Sequence, residues 1–225
     1  MSIPSSLSLV QLHSGQMQVF QSPHRFKVVC AGRRWGKSRL SISTIIRAAA
    51  KERKQRVWYV APTYQMARQI LWDDLQEVLP RKWIRKKNDT TMTIVLKNGS
   101  EIALKGADKP DTLRGVALHF VVLDEFQDMK PDTWYKVLRP TLSSTRGGAL
   151  IIGTPKGFSE FHKLWTIGQN KELQRKGQWK SWQFVTADSP FVPTAEIEAA
   201  KNDMDPKSFA QEYLASFENM SGRVY

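Results

Sequence analysis

Short apolar runs without polar alternation recur along the chain, and each ends at a residue that favours a turn. They span residues 26–31, 57–61, 119–123 and 149–152, and each is rich in valine, isoleucine or leucine. Strands buried on both faces of a parallel sheet have this pattern, because neither face of such a sheet meets water. The four runs therefore predict four buried parallel strands.

Helical periodicity follows each of the first two runs. Within residues 38–53 the apolar residues recur at the spacing of a helix with one buried face: Ile42, Ile45, Ile46 and Ala49. A second apolar helical face follows the second run: Ala67, Ile70, Leu71, Leu75 and Val78. This alternation predicts an α/β fold in which crossover helices cover a mainly parallel sheet. Three further stretches look helical: residues 157–168, 193–202 and 206–218.

The stretch T-M-T-I-V-L-K-N-G-S-E-I-A-L alternates apolar and polar residues on both sides of Asn98-Gly99. Because this dipeptide favours a tight turn with positive φ, we expect a β-hairpin at the edge of the sheet. Just before it, residues 81–87 read R-K-W-I-R-K-K. Two interpretations of this basic cluster stay open: a solvated linker with one packing tryptophan, or a contact with nucleic acid.

The charge balance adds information about partners. Thirty-four Lys and Arg residues against 21 Asp and Glu give a net charge of +13. Such an excess attracts polyanions, although it also serves solubility alone. The single cysteine, Cys30, excludes an internal disulfide and is expected to be buried, which fits a reducing compartment. With no signal peptide and no apolar run long enough to span a bilayer, we expect a soluble cytoplasmic protein.

The segment A-G-R-R-W-G-K-S at residues 31–38 joins the first predicted strand to the first predicted helix. In that setting backbone N–H groups and the helix N-terminus cradle a phosphate. Gly36 permits close approach, Lys37 bridges the β- and γ-phosphates, and Ser38 offers a hydroxyl to Mg²⁺. Ala31 replaces the first glycine of the usual G-x-x-x-x-G-K-[ST] pattern, and we expect Gly32 to adopt the unusual dihedrals instead.

Polar residues follow two other predicted strands. Asp124 and Glu125 end the third run, where an aspartate can hold Mg²⁺ and a glutamate can activate water. Thr154, in G-T-P after the fourth run, is placed to hydrogen-bond the γ-phosphate. An arginine should stabilise the charge of the transition state. The candidates are Arg33, Arg34, Arg114, Arg139 and Arg146, of which Arg114 is preferred.

The order of these motifs resembles the ATPase domain of the large terminase subunit of tailed bacteriophages, a motor that packages DNA into a procapsid. The matching segments are G-Q at 15–16, the phosphate loop, A-P-T-Y at 61–64, L-R-G at 113–115, V-V-L-D-E, and G-T-P-K-G at 153–157. The resemblance implies a P-loop NTPase of the ASCE, RecA-like type. It also implies ATP and Mg²⁺ as cofactors and Mg-dependent ATP hydrolysis as the activity.

The same resemblance implies roles for individual residues. Gln16 would read the adenine, Arg33 would contact the phosphates of its own subunit, and Arg114 would reach into the site of a neighbouring subunit. Thr154 falls in the motif that couples hydrolysis to movement. Core packing is favoured for Tyr64. The implied site comprises Glu125, Arg114 and Lys37 for catalysis, Ser38 and Asp124 for the metal, and Gln16, Gly32, Arg33, Arg34, Trp35, Gly36, Lys37, Ser38 and Thr154 for the nucleotide.

The resemblance also bears on organisation and partners. We expect one ATPase domain over residues 1–225, with 1–24 on the adenine side and about 193–225 as a helical segment leading to a nuclease domain that this chain lacks. Double-stranded DNA, a homo-oligomeric ring on a portal and the small terminase subunit are the implied partners, in the host cytoplasm and away from membranes. Two alternatives stay open: a helicase-like or other P-loop DNA translocase, and an ATP-gated DNA-binding module that does not hydrolyse.

Overall fold

The computed structural model describes residues 9–218, and its centre is one eight-stranded sheet. The strand order is β3-β4-β5-β2-β6-β7-β1-β8. The strands are β1 (Phe26–Ala31), β2 (Arg56–Ala61), β3 (Ile84–Asn88), β4 (Thr93–Leu96), β5 (Glu101–Gly106), β6 (Phe120–Leu123), β7 (Gly148–Gly153) and β8 (Trp179–Phe184). All neighbouring pairs from β5 to β8 are parallel, whereas β4 is antiparallel to both β3 and β5.

Nine α-helical segments lie among the described residues. They are α1 (Ser14–Gln21), α2 (Lys37–Lys51), α3 (Tyr64–Ala67), α4 (Asp73–Val78), α5 (Arg139–Thr141), α6 (Glu160–Gln169), α7 (Lys171–Arg175), α8 (Thr194–Asp203) and α9 (Pro206–Glu212). A π-helical turn, Arg68–Trp72, joins α3 to α4, and another, Thr133–Leu138, leads into α5. No helix within residues 9–218 is both long and apolar enough to cross a membrane.

The α/β fold and its four buried parallel strands are confirmed, because the four apolar runs form β1, β2, β6 and β7. The hairpin around Asn98-Gly99 is also present, with Ile94 opposite Ile102. Its predicted place at the sheet edge is wrong: β5 pairs with β2 on its other side, and β3 forms the edge. The basic segment 81–87 therefore includes most of an edge strand instead of being a linker.

Two apolar layers cover the two faces of the sheet. Alternate residues of β1 divide between them, with Val29 and Ala31 facing one layer and Val28 and Cys30 facing the other. All four are fully buried. Each fully buried valine of this kind stabilises the fold by about 1.5–3 kcal/mol. A sheet buried on both faces in this way fixes the positions of the loops at its carboxyl edge.

The C-terminal part of the described chain returns to the sheet at its β8 edge. The predicted helix at 206–218 ends at Glu212, and Ala215 adopts a φ of 52°. The carbonyl of Ala215 accepts a hydrogen bond from Gln183 at 2.7 Å, and Phe217 packs against Phe161. Residues 1–8 and 219–225 of the two predicted terminal segments lie outside the described residues.

Candidate active site

The loop between β1 and α2 lies at the carboxyl edge of the sheet, with α2 beginning at Lys37. Two of its residues adopt left-handed backbone, Arg34 with a φ of 61° and Gly36 with a φ of 103°. The expectation that Gly32 takes this role is wrong. Gly32 is required for space, since a Cβ there would lie 2.6 Å from the hydroxyl of Thr186 and 2.8 Å from the carbonyl of Tyr213.

The ammonium group of Lys37 connects the loop to the end of β7. Its Nζ donates to the carbonyls of Ala31 at 3.2 Å and Gly32 at 3.4 Å, and to Oγ1 of Thr154 at 3.0 Å. Lys37 and Thr154 are both buried. The structure thus brings together two predicted site residues that lie more than a hundred positions apart in the chain.

Asp124 is buried at the end of β6, and both of its carboxylate oxygens accept hydrogen bonds. Oδ2 accepts from the Tyr59 hydroxyl at 2.7 Å, and Oδ1 accepts from the backbone N–H of Glu125 at 2.9 Å. Burial, followed by the neighbouring charge of Glu125, raises the pKa of Asp124 to about 6. Burial also raises the pKa of Tyr59 well above its usual value, so its hydroxyl stays a donor.

Glu125 has left-handed backbone, with a φ of 50°, and its side chain is held by a residue that sequence reasoning missed. Gln127 donates from Nε2 to Oε2 of Glu125 at 2.6 Å. The Oε1 atom of Gln127 is buried without a hydrogen-bond partner among the described residues. It lies against the end of β7, since a Cβ on Gly153 would come within 2.2 Å of it. The left-handed backbone of Glu125 is a form of strain that is common at functional sites.

Glu125 and the phosphate loop both line a cavity of about 720 Å³. The loop contributes Arg33, Arg34, Gly36, Lys37 and Ser38 to its lining, and Thr154 and Gln127 line it as well. Met66 and Ile70 add apolar surface at one side, and Gln211 and Glu212 of α9 close another. The cavity thus presents cations, carboxylates and hydroxyl groups from different elements to one space.

Arg33 ties the loop to the C-terminal helical segment. Its side chain forms an ion pair with Glu212, and its backbone N–H donates to the carbonyl of Glu212 at 2.7 Å. The hydroxyl of Thr186 donates to the Arg33 carbonyl at 2.8 Å. The hydrogen bond and charge of Glu212 raise the pKa of Arg33. The loop and α9 are therefore directly bonded.

Gln16 and Trp35 lie behind the loop instead of facing the cavity. The Gln16 amide is completely buried, donates to the Gly36 carbonyl at 2.8 Å and accepts from the His13 N–H at 3.0 Å. The Trp35 ring is buried and stacks on Phe184 with centroids 4.6 Å apart. The Trp35 ring belongs to the core and does not line the cavity, and the place of Trp35 in a nucleotide site stays a prediction. An adenine-reading role for Gln16 stays a prediction and requires its amide to leave both partners.

Arg114 does not join the other predicted catalytic residues. Its guanidinium forms an ion pair with Asp111 at 2.9 Å and lines a separate cavity of about 370 Å³. Lys136 and Ser144 line the same cavity. Within one copy of the chain, Arg114 therefore does not line the cavity that Lys37 and Glu125 line.

Ser38 and Asp124 supply oxygen donors of the kind that a magnesium ion shared with phosphates takes, although Asp124 is buried and is not among the residues that line the cavity. Ser38 offers a half-buried hydroxyl at the cavity, and the Asp124 carboxylate keeps lone pairs beyond its two hydrogen bonds. Magnesium prefers oxygen ligands and commonly takes one or two from the protein and the rest from phosphates and water. Within residues 9–218, no group of three or more His, Cys, Asp or Glu side chains is placed to hold a metal by itself.

Comparisons with known proteins agree with this geometry. The family model described as "Terminase large subunit, T4likevirus-type, N-terminal" matches residues 28–225. The large terminase subunit of Escherichia phage T5 is 30% identical over 206 residues, which are 90% of this chain and 46% of that protein. This chain therefore spans about half the length of that relative.

Two solved structures share the fold. The large terminase ATPase domain of Thermus phage P74-26 superposes with a TM-score of 0.78 and 26% identity, covering 92% of this chain and 94% of that domain. The large terminase of a second thermophilic bacteriophage, solved in complex with ADP, has a TM-score of 0.75 and 16% identity. The match covers 92% of this chain and 54% of that one. At that identity the likeness to the second structure concerns the fold alone.

Proposed function

The chain belongs to the family of T4likevirus-type large terminase subunits, and we propose that it is the ATP-hydrolysing motor domain of a phage DNA-packaging terminase. One observation carries the proposal. The Lys37 ammonium, bonded to Thr154, and the carboxylate of Glu125 face one cavity of about 720 Å³. A phosphate-binding cation and a general base that line one space suit hydrolysis of a triphosphate.

The loop and α2 would bind the phosphates. Backbone N–H groups of the loop and the N-terminus of α2 favour negative charge at this position. Lys37 would exchange its carbonyl partners for β- and γ-phosphate oxygens, while Ser38 and Asp124 would hold Mg²⁺. When bound, that ion neutralises phosphate charge that develops during transfer.

Glu125 would act as the general base. It would orient a water molecule toward the γ-phosphorus and accept its proton as the new P–O bond forms. The bond from phosphorus to the β–γ bridging oxygen breaks, which releases ADP and phosphate. The bond from Gln127 fixes the Glu125 carboxylate, so Gln127 is assigned a positioning role.

Two contacts would transmit the structural effect of ATP hydrolysis from the site to other elements. Thr154 bonds Lys37 directly, so β7 is linked to the group that meets the γ-phosphate. Arg33 bonds Glu212, so the loop is linked to α9. Movement at either contact would reach the C-terminal segment and whatever follows it in a longer protein. A nuclease domain, a portal-bound ring and a small subunit belong to that proposed context, in the host cell during packaging.

Arg114 would complete the site of a neighbouring copy. Its position on a separate cavity, away from Lys37, supports an action between subunits. A well-placed arginine contributes about 10³-fold or more to phosphoryl transfer.

Steady-state ATP turnover with Mg²⁺ at rising protein concentration, with and without duplex DNA, tests the proposal. Turnover per subunit should climb with concentration or DNA and collapse in Arg114→Ala but not in Arg175→Ala, an exposed arginine of α7. A flat rate that survives Arg114→Ala would leave a self-contained ATPase. ATP binding without any turnover would leave an ATP-gated binding module.

A further inference from the structure

Six exposed cationic side chains surround the outer edge of the sheet at β3. We call them the basic edge: Lys54, Arg81, Lys82, Arg85, Lys86 and Lys97. Within the described residues 9–218, none of these six side chains takes part in an ion pair, a side-chain hydrogen bond or a cation–π contact. The basic edge is therefore a concentration of like charge that the chain itself leaves uncompensated.

Three separate segments meet to form this surface. The backbone N–H of Lys97 donates to the carbonyl of Trp83 at 2.8 Å, which joins the β4–β5 turn to the start of β3. The N–H of Lys54 donates to the carbonyl of Asn98 at 3.3 Å, which brings the segment before β2 to the same turn. The fold, and not the sequence alone, thus collects these cations.

Several cations elsewhere on the surface are partnered. Lys136, Lys163 and Lys176 each pair with a carboxylate three or four residues away, at 2.8, 2.9 and 2.5 Å. Charged residues on an edge strand prevent unwanted pairing with other sheets, which accounts for Arg85 and Lys86 within β3. Lys54 and Lys97 lie outside that strand, so protection of the edge does not account for them.

We propose that the basic edge binds the phosphate backbone of duplex DNA. The inference rests on the proposed function, and it names the surface that holds the substrate of the motor. Long cationic side chains along an exposed strand suit repeated phosphates and read no base sequence. None of the large apolar side chains exposed among the described residues lies between positions 81 and 97, so the surface lacks groups that would insert into a membrane.

The test compares two variants that lose the same amount of charge. One carries Arg81→Gln, Lys82→Gln, Arg85→Gln and Lys86→Gln. The control carries Lys163→Gln, Lys171→Gln, Arg175→Gln and Lys201→Gln on the exposed surfaces of α6, α7 and α8. Fluorescence anisotropy with a short labelled duplex of mixed sequence gives the affinity at several salt concentrations. Phosphatidylserine vesicles serve as a second polyanion.

Each phosphate contact contributes about 0.9 to the slope of log K against log salt, so the basic-edge variant should have a slope shallower by about 3 to 4. The control variant should keep the wild-type slope within about 1. Equal losses in both variants, or weakening toward vesicles alone, would overturn the proposal. ATP turnover without DNA is measured in parallel. If the protein binds DNA at this edge but does not hydrolyse ATP, the proposed motor function is contradicted and the DNA-binding surface is still supported.

Discussion

Behind the phosphate-binding loop the contacts are buried and fixed, whereas in front of it the side chains reach into a cavity and bond across it to other elements. Gln16 on the rear side bonds the Gly36 carbonyl, and a Cβ on Gly36 would come within 2.3 Å of its amide nitrogen. Arg33 on the front side is two-thirds exposed and pairs with Glu212. Lys37 on the same side bonds Thr154.

The difference between the rear and front contacts indicates that they have different tasks. The rear contacts hold the loop backbone in its left-handed turn, which presets N–H groups for any phosphate. In the proposed function, the groups that make the front contacts would exchange partners when a nucleotide binds. Changes behind the loop should therefore affect binding of every nucleoside triphosphate alike, and changes in front should affect chemistry or coupling.

The largest effect is expected on the front side, from Lys37→Ala. Loss of the ammonium removes the only cation bonded to both the loop carbonyls and Thr154 among the described residues. We expect ATP turnover to fall by about 10³-fold or more, since positioning and charge stabilisation dominate phosphoryl transfer. Lys163→Ala is the control. Turnover within about tenfold of wild type would contradict the assigned role.

A stability effect is expected from the rear side, at Lys27. This buried ammonium donates to the Val19 carbonyl near the end of α1, at 2.9 Å. Burial and, to a lesser degree, Arg47 lower the pKa of Lys27 to about 7. Between that pH and the usual lysine value, the unfolded chain binds more protons than the folded one, so the free energy of unfolding rises with pH.

Lys27→Met removes this dependence. The wild type should gain up to about 1.4 kcal/mol per pH unit between pH 7 and pH 9 relative to the variant, measured by urea denaturation. Parallel curves for the two proteins would show that Lys27 keeps an ordinary pKa.

A smaller effect distinguishes two roles for Gln16. If it braces the loop, Gln16→Ala should raise the KM for ATP and for GTP by the same factor, about tenfold for the loss of a buried hydrogen bond. Gln18→Ala, an exposed neighbour on α1, serves as the control. A rise for ATP alone would instead assign Gln16 to reading the adenine.

The smallest effect is expected at the Arg33–Glu212 pair. Glu212→Ala would free Arg33 for the phosphates, and we expect the KM for ATP to fall by about two- to fivefold, since exposed ion pairs contribute at most about 1 kcal/mol. Glu172→Ala, which removes an exposed pair on α7, is the control. An increased KM would mean that Glu212 supports the site instead of restraining it.

The sequence predicts a strand only where the burial of that strand leaves a pattern in its residues. Strands β1, β2, β6 and β7 are buried on both faces, so their apolar runs identify them without the structure. The sequence analysis did not predict strands β3 and β8, because edge strands carry charged and polar residues. Their sequences, I-R-K-K-N and W-K-S-W-Q-F, lack a continuous apolar run.

Some residues of the candidate site could likewise be predicted from the sequence, and others could not. Asp124, Glu125, Lys37 and Thr154 follow strands whose carboxyl ends meet at one edge, so their proximity follows from the parallel sheet. Tyr59 could not be found, because its bond to Asp124 follows from the register of β2 against β6. Gln127 lies two residues from Glu125, but the direction of its side chain depends on the turn that follows β6. Gln16 and Trp35 occur in the expected motif, but the direction of their side chains depends on packing that no local pattern records.

The central claim is that this cavity hydrolyses ATP with Glu125 as the base. Its most direct test is single-turnover hydrolysis by wild type and by Glu125→Gln, with ATP binding measured on the same samples by calorimetry. We expect the variant to bind ATP about as tightly as wild type while hydrolysis falls by about 10²- to 10⁴-fold. Hydrolysis at the wild-type rate in Glu125→Gln would contradict it.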